Sequence, residues 1–177
     1  DMNDLRIIED GAVGMKDGKI VFVGKSDDVT FEDADRAINC AGKTILPGFV
    51  DSHTHLVFAG ARETEFARRI AGETYAEIAA SGGGINSTVK AVREATKVDL
   101  VEYALHRLDS CLGFGSTTVE IKTGYGLDEE NEKKMLDAIN ELKDLHVVEI
   151  VPTFLGAHVV PFDYKERREE YEVIQLF

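Results

Sequence analysis

The sequence predicts an α/β chain in two parts, a small all-β segment over residues 1–46 and a run of strand–helix units over residues 47–177. Three observations carry that prediction. An Asp17-Gly18 pair between two apolar-rich runs signals a hairpin. After Pro47 the apolar spacing alternates between extended and helical patterns. The first of those later strands then runs into His53-Thr54-His55, where a doubly wound sheet would place a glycine-rich loop.

In the first part, Gly11 to Lys16 and Lys19 to Gly24 read as the hairpin strands, because Asp-Gly tolerates the positive φ that such turns need. Arg36 to Cys40 and Lys43 to Leu46 read as two further extended pieces. A segment this small is not expected to close a core alone. In the second part, Ile45 to Asp51 is a short apolar run, expected to be a buried strand ending in polar residues. Tyr75 to Ala80 and Asn86 to Thr96 carry helical spacing, and Leu100 to Leu112 repeats apolar residues at i, i+3 and i+4. Ser116 to Ile121 reads as a strand rich in β-branched residues, Glu129 to Leu142 as an amphipathic helix, Val147 to Phe154 as another buried strand, and Tyr164 onward as a helix. Asp128, followed by two glutamates, suits a helix N-terminus, where carboxylates meet unsatisfied N–H groups. The alternation implies a parallel sheet with helices on its faces. Three such units are visible; a closed eight-stranded barrel takes roughly 250 residues, so a barrel would be less than half present.

Composition narrows the function classes. With 44% apolar and 30% charged residues over 177 positions, the chain has material for a core of one or two domains. The longest apolar stretch, Val147 to Phe162, is interrupted by Glu149, Pro152, Gly156 and His158, so no membrane span is expected; no charged-then-apolar signal peptide opens the sequence, and a cytoplasmic location is expected. Lys plus Arg is 20 against 33 for Asp plus Glu, a net charge of −13. Such a chain repels phosphate backbones, which argues against nucleic acid as a partner. Cys40 and Cys111 sit in no C-x-x-C pair and beside no histidine, so reduced thiols are expected. Tyr171 to Phe177 ends inside a helical pattern with no Gly or Pro stop, the pattern of a truncated or partial chain.

Residues two apart in a strand project to one face, so His53 and His55 can present two imidazoles to one point. Two neutral imidazoles suit zinc, iron or nickel, and the bland alternative is a hydrogen-bonded loop pair. Arg62 offers a planar fork for a substrate carboxylate; from spacing alone a surface salt bridge with Glu63 or Glu65 is the simpler account. Gly82-Gly83-Gly84 is followed by no Lys-Ser/Thr at phosphate-loop spacing, so the glycines are expected to turn the chain into a helix or to let a backbone approach a ligand. Thr118, Glu120 and Lys122 give the second strand a polar face that burial would penalise unless the groups are paired or functional. Tyr125, between two glycines after that strand, either contacts substrate or packs over the sheet, and His158 occupies the equivalent place after the third strand. Three strand ends thus deliver His53 and His55, Tyr125, and His158. His106 and His146 do not share that placement and are expected to be structural or exposed.

Taken together, these residues resemble the amidohydrolase superfamily. Pro47-Gly48-Phe49-Val50-Asp51 followed by His53-x-His55 is similar to its opening barrel strand, and residues 1–46 look like the N-terminal half of its flanking β-sandwich. One branch of the superfamily is similar from Ile20 to Tyr164, through His53 to Arg62, Tyr75-x-Glu77-Ile78, Gly82 to Val89, Thr117 to Leu127 and Pro152 to His158, in that order. The resemblance implies an incomplete (β/α)8 TIM barrel, its first three βα units, preceded by part of a small β-sandwich. It also implies a reaction, metal-dependent hydrolysis of the ring C–N bond of 4-imidazolone-5-propanoate to N-formimidoyl-L-glutamate, the third step of histidine degradation.

His53 and His55 would then be ligands of zinc or iron, while Arg62, Tyr125 and His158 would bind the substrate, with Arg62 on its free carboxylate. Tyr75 is a weaker candidate for the pocket wall. The remaining ligands, a His and an Asp, and the Glu that assists the water belong to later strands of the family pattern, and Glu120, on the second strand, is not that Glu. The 177 residues alone are therefore expected to be inactive, and a homodimer is the expected assembly of the longer protein. Two other readings stay open: another cyclic amidohydrolase of dihydroorotase, hydantoinase or aminohydrolase type, and a non-catalytic scaffold that keeps the barrel.

Overall fold

The structure, a computed structural model, describes residues 4–30, 32 and 34–174, the last three as backbone only. It divides into two compact units, Asp1–Leu46 and Pro47–Phe177.

In the first unit β1 (Gly11–Lys16) and β2 (Lys19–Lys25) pair antiparallel around Asp17 and Gly18, whose φ values of 52° and 72° are those the hairpin signal requires. The register slips between Gly14 and Met15, a bulge in the ladder. Arg36 to Cys40 and Lys43 to Leu46 are not strands. A turn at Ala41 and Gly42, closed by the Lys43 N–H donating to the Cys40 carbonyl at 2.9 Å, joins them, and neither has a ladder partner among the described residues. β-Branched composition favours an extended backbone but cannot supply the partner that makes it a strand.

The second unit is built on three parallel strands, β3 (Phe49–Thr54), β4 (Ser116–Lys122) and β5 (Glu149–Thr153), hydrogen-bonded in that order. The mixed α/β class with a parallel sheet is therefore observed. β3 starts and ends later than the apolar run Ile45 to Asp51 suggests. Pairing decides the boundary: the Phe49 N–H donates to the Gly115 carbonyl at 2.8 Å, and the ladder with β4 continues to Thr54, carrying His53 into the strand. Neither outer strand is buried as expected. Val50 is 67% exposed and Val151 46%, because β3 and β5 pair on one side only among the described residues.

Six helices accompany the sheet among the described residues: α1 (Glu63–Ile70), α2 (Tyr75–Ala80), α3 (Ile85–Glu94), α4 (Lys97–Gly113), α5 (Glu129–Leu145) and α6 (Arg168–Ile174). A single 3-10 turn over Phe162–Tyr164 precedes α6, in place of a helix from Tyr164 onward, and the end of the expected helix, 175–177, lies outside the described residues. Local chemistry explains several starts. Thr74 with Glu77 and Thr96 with Asp99 form capping boxes at α2 and α4, and Asp128 accepts the Asn131 N–H at 2.7 Å to cap α5. α1 has no counterpart among the expected helices, and none of its residues is buried. Its signals are electrostatic, Glu63 and Glu65 in the first turn with Arg68 and Arg69 in the last.

The core lies between β4, β5, α4 and α5. Val119 and Ile121 point into it from β4, Ile150 from β5, Leu100, Val101, Ala104 and Leu108 from α4, and Met135, Ala138, Ile139 and Leu142 from α5. Strand periodicity sends Thr118, Glu120 and Lys122 to the opposite face. That face and the loops at the strands' C-terminal ends carry the residues singled out by their chemistry.

Candidate active site at the strand ends

His53, near the end of β3, and His55, one residue past it, bring their ring centroids to 6.0 Å from each other. His53 is exposed and His55 half-buried. The loops after β4 and β5 bring two more rings to His55: His158 stacks on it at 4.8 Å with planes 10° apart, and Tyr125 lies at 4.9 Å. Tyr125 also meets His158 at 5.8 Å and packs edge-on against Phe58 at 6.4 Å. Four side chains from three strand ends therefore form one ring cluster.

The cluster's backbone geometry depends on Gly124. Its φ is +113°, and a Cβ there would stand 2.8 Å from both Cβ and Nδ1 of His158, so only glycine lets that ring sit down. In return the Gly124 carbonyl faces His158 Nδ1 at 3.0 Å. A carbonyl only accepts, so Nδ1 carries the proton and a neutral ring leaves Nε2 as an acceptor.

Electrostatics keep His55 available as a ligand. Burial first, then the neighbouring His158 and His53 rings, hold it below the ordinary histidine value, so the neutral ring with a free lone pair is favoured. Its Nδ1 is buried and has no hydrogen-bond partner. Paired imidazoles with an orphaned buried nitrogen fit a borderline metal such as zinc or iron. Among the described residues no three His, Cys, Asp or Glu side chains are placed to hold a metal ion together, so His53 and His55 could supply at most two ligands of an ordinary four-ligand set.

Other residues singled out in the sequence stand apart. Arg62 precedes α1, is exposed, and pairs with neither Glu63 nor Glu65 among the described residues, so the surface salt bridge is not formed. Glu65 instead accepts from the Gly84 N–H at 3.0 Å and the Ser87 hydroxyl at 3.1 Å. Gly82 and Gly84 take positive φ and the chain turns there into α3, and a carboxylate lodged against the glycines repels phosphate, in line with the sequence expectation. Tyr75 opens α2 with its hydroxyl beside Gly84, and makes no ring contact with the cluster among the described residues. On the polar face of β4, Glu120 is ion-paired with Lys122 and accepts from the Thr153 hydroxyl at 2.6 Å, which holds its carboxyl below the usual carboxylate range. His106 is exposed on α4; His146 accepts from the Val148 N–H at 3.1 Å and faces Asp109 at 3.3 Å, a structural role.

Sequence reasoning missed the residues that hold these loops. Arg107 of α4 donates to the Leu56 and Phe58 carbonyls at 2.9 and 2.8 Å and lies 3.6 Å over the Phe58 ring. Arg93 of α3 donates to the Gly126 and Leu127 carbonyls at 2.8 and 3.2 Å and pairs with Asp128 and Asp163. Glu132 of α5, 1% exposed, accepts from the N–H groups of Gly124, Gly126 and Leu127 at 2.7–3.1 Å. The detectable signal for Glu132 is weak: a charge on the apolar stripe of α5, three residues before Met135.

Fold and site together define an α/β protein with a histidine-rich cluster at the C-terminal ends of parallel strands, where such sheets place their sites. No protein-family model matches the chain. Comparison with curated proteins is specific: it is similar to the imidazolonepropionases of Bacillus thuringiensis (strain Al Hakam), Bacillus cereus (strain AH187) and Bacillus anthracis (strain CDC 684 / NRRL 3495), 51% identical to each over 170 residues. The match covers 96% of this chain and 40% of each of those proteins. These imidazolonepropionases are homologues of the chain, which spans about 40% of the length of the curated relatives it matches.

Proposed function

We propose that the chain contributes the first part of a metal-dependent hydrolase that opens the ring of 4-imidazolone-5-propanoate to N-formimidoyl-L-glutamate, in histidine degradation. The convergence of His53, His55, Tyr125 and His158 in a homologue of imidazolonepropionases carries this reading. In the same proposal the three parallel strands are the opening strands of a (β/α)8 barrel, the hairpin unit is part of a β-sandwich, and the longer protein works in the cytoplasm as a homodimer.

His53 and His55 would hold the metal, zinc or iron. When bound, such an ion lowers the pKa of its water to about 7 and polarises a carbonyl, which a ring amide needs at neutral pH. Arg62, with no ion pair among the described residues, offers its guanidinium to the propionate. Tyr125 and His158 flank the ring: the tyrosine supplies an edge and a hydroxyl, and His158, with Nδ1 committed to Gly124, turns Nε2 to the substrate. Glu120, tied to Lys122 and Thr153, is occupied structurally and is not the proton-transfer group.

The test follows loss of imidazolone absorbance with the intact protein. Expected are turnover abolished by a chelator and restored by zinc or iron, and a KM raised about a hundredfold or more by Arg62→Ala, the loss of a charged hydrogen-bonded clamp. Absence of stoichiometric metal after non-chelating preparation, with no turnover, would favour the scaffold reading. Turnover of dihydroorotate or a hydantoin in preference to the imidazolone would favour another cyclic amidohydrolase.

A further inference from the structure

We propose that Glu132 is a positioning residue for the substrate side of the site, holding Tyr125 and His158 through the backbone of the loop between β4 and α5. This rests on reading Tyr125 and His158 as substrate-binding residues. Three observations carry it.

The carboxylate is buried, yet the hydrogen bonds the structure gives it are all to backbone amides. Oε1 accepts from Gly124, Gly126 and Leu127 at 3.1, 2.7 and 2.9 Å, and Oε2 from Gly124 at 3.0 Å. A buried carboxylate is tolerated only when hydrogen-bonded or paired, so the loop and the charge require each other.

The loop's amides are arranged as they would be around an anion, while its Gly126 and Leu127 carbonyls turn to Arg93. Gly124 and Leu127 both have positive φ, and successive N–H groups turn inward to make a concave nest of the kind that binds phosphates and other anions. Here the anion is internal. The start of α5 presses on the same loop, since a Cβ at Gly126 would stand 2.5 Å from the Asn131 carbonyl carbon and the Glu132 nitrogen.

The residues so held are the ones that face the site. Tyr125 lies between two anchored amides and reaches His55, and the Gly124 carbonyl, on the other side of the anchored residue, bonds His158 Nδ1 at 3.0 Å. One buried charge on α5 thus sets a ring on its own loop and a ring on the loop after β5. Lys134, two residues along the same helix, provides the contrast. Its Nζ donates to the Val92, Arg93 and Ala95 carbonyls at 2.8, 3.3 and 2.8 Å, a comparable internal anchor with no hydrogen bond to the site loop among the described residues.

The experiment uses the intact protein with 4-imidazolone-5-propanoate, comparing Glu132→Gln with Lys134→Met. Glu132→Gln is expected to raise KM about tenfold with a smaller change in kcat, to leave metal content intact, and to speed amide exchange in the peptide spanning 123–127. Lys134→Met is expected to lower thermal stability with KM unchanged. Wild-type KM in Glu132→Gln overturns the positioning role, even if exchange is faster; so does an equal rise of KM in Lys134→Met, which would trace the effect to general loosening. If Glu132→Gln yields no folded protein, Glu132→Asp keeps the charge and withdraws it by one methylene, and a wild-type KM there overturns the proposal. Wild-type protein that binds metal but does not turn over this substrate would sink the functional reading instead, while the exchange comparison still reports whether Glu132 holds the loop.

Discussion

The segments after β3 and β4 each carry site side chains, yet they are held differently: a cation on carbonyls after β3, and after β4 an anion on amides together with Arg93 on the Gly126 and Leu127 carbonyls. After β3, carbonyl groups face inward: Leu56 and Phe58 accept from Arg107, whose guanidinium also covers the Phe58 ring. After β4, amide groups face inward: Gly124, Gly126 and Leu127 donate to Glu132. Irregular backbone at a buried loop leaves either donors or acceptors without a ladder, and a charge of matching polarity on the covering helix satisfies several at once. The two anchors should differ in cost when removed. An orphaned N–H has one bond to lose and few substitutes, whereas a carbonyl left short of one partner tolerates it better.

Four substitutions would break or sharpen that comparison. The largest expected effect is Glu132→Ala, which leaves three inward amides without an acceptor and should cost about 3 kcal/mol in denaturant unfolding of the intact protein. Gly124→Ala comes next, at about 2 kcal/mol, because it puts a Cβ against His158 at φ +113°, and His158 should lose its place on His55; the crystal structure of the variant shows whether the stack survives. Arg107→Met keeps the aliphatic stem while removing two hydrogen bonds and the cation–π contact, for about 1–2 kcal/mol. Were Arg107→Met to cost more than Glu132→Ala, the ranking of donors over acceptors would be wrong for this protein.

The smallest effect is alkaline. Tyr171 is buried with its hydroxyl donating to the Gly156 carbonyl at 2.6 Å, and burial pushes its phenol up to about 12. Because the folded value lies above the unfolded one near 10, the tyrosine's contribution is complete below pH 10 and is lost as pH rises toward 12. Stability measured from pH 9 to pH 12 should therefore fall more steeply in wild type than in Tyr171→Phe, and parallel curves would contradict the assignment.

Much of the second unit was legible in the sequence because its signals are local. The Asp128 cap, the β-branched run of β4 and the apolar stripes of α4 and α5 each follow from spacing within a dozen residues. Elements whose existence depends on a partner were less legible. Arg36 to Cys40 has strand-like composition without a ladder among the described residues, and the boundaries of β3 were set by what β4 pairs with. α1 offered only a short apolar signal, Phe66 and Ile70 at i and i+4, and both are exposed. Within the site, His53-x-His55, Tyr125 and His158 stood out as chemistry at strand ends, whereas Arg93, Arg107 and Glu132 looked like ordinary helix charges.

By itself the sequence determined the order of strands and helices, the capping chemistry and the identity of the rings available at three strand ends, all consequences of short-range periodicity and side-chain type. Tertiary structure decided which rings meet, which histidine nitrogen carries the proton and which helix charges are buried against loops. Those outcomes depend on groups tens of residues apart, such as Arg107 with Leu56 and His158 with Gly124. A buried charge and a solvated one look the same in a sequence; only packing separates them, by removing the water that would otherwise take the partner's place.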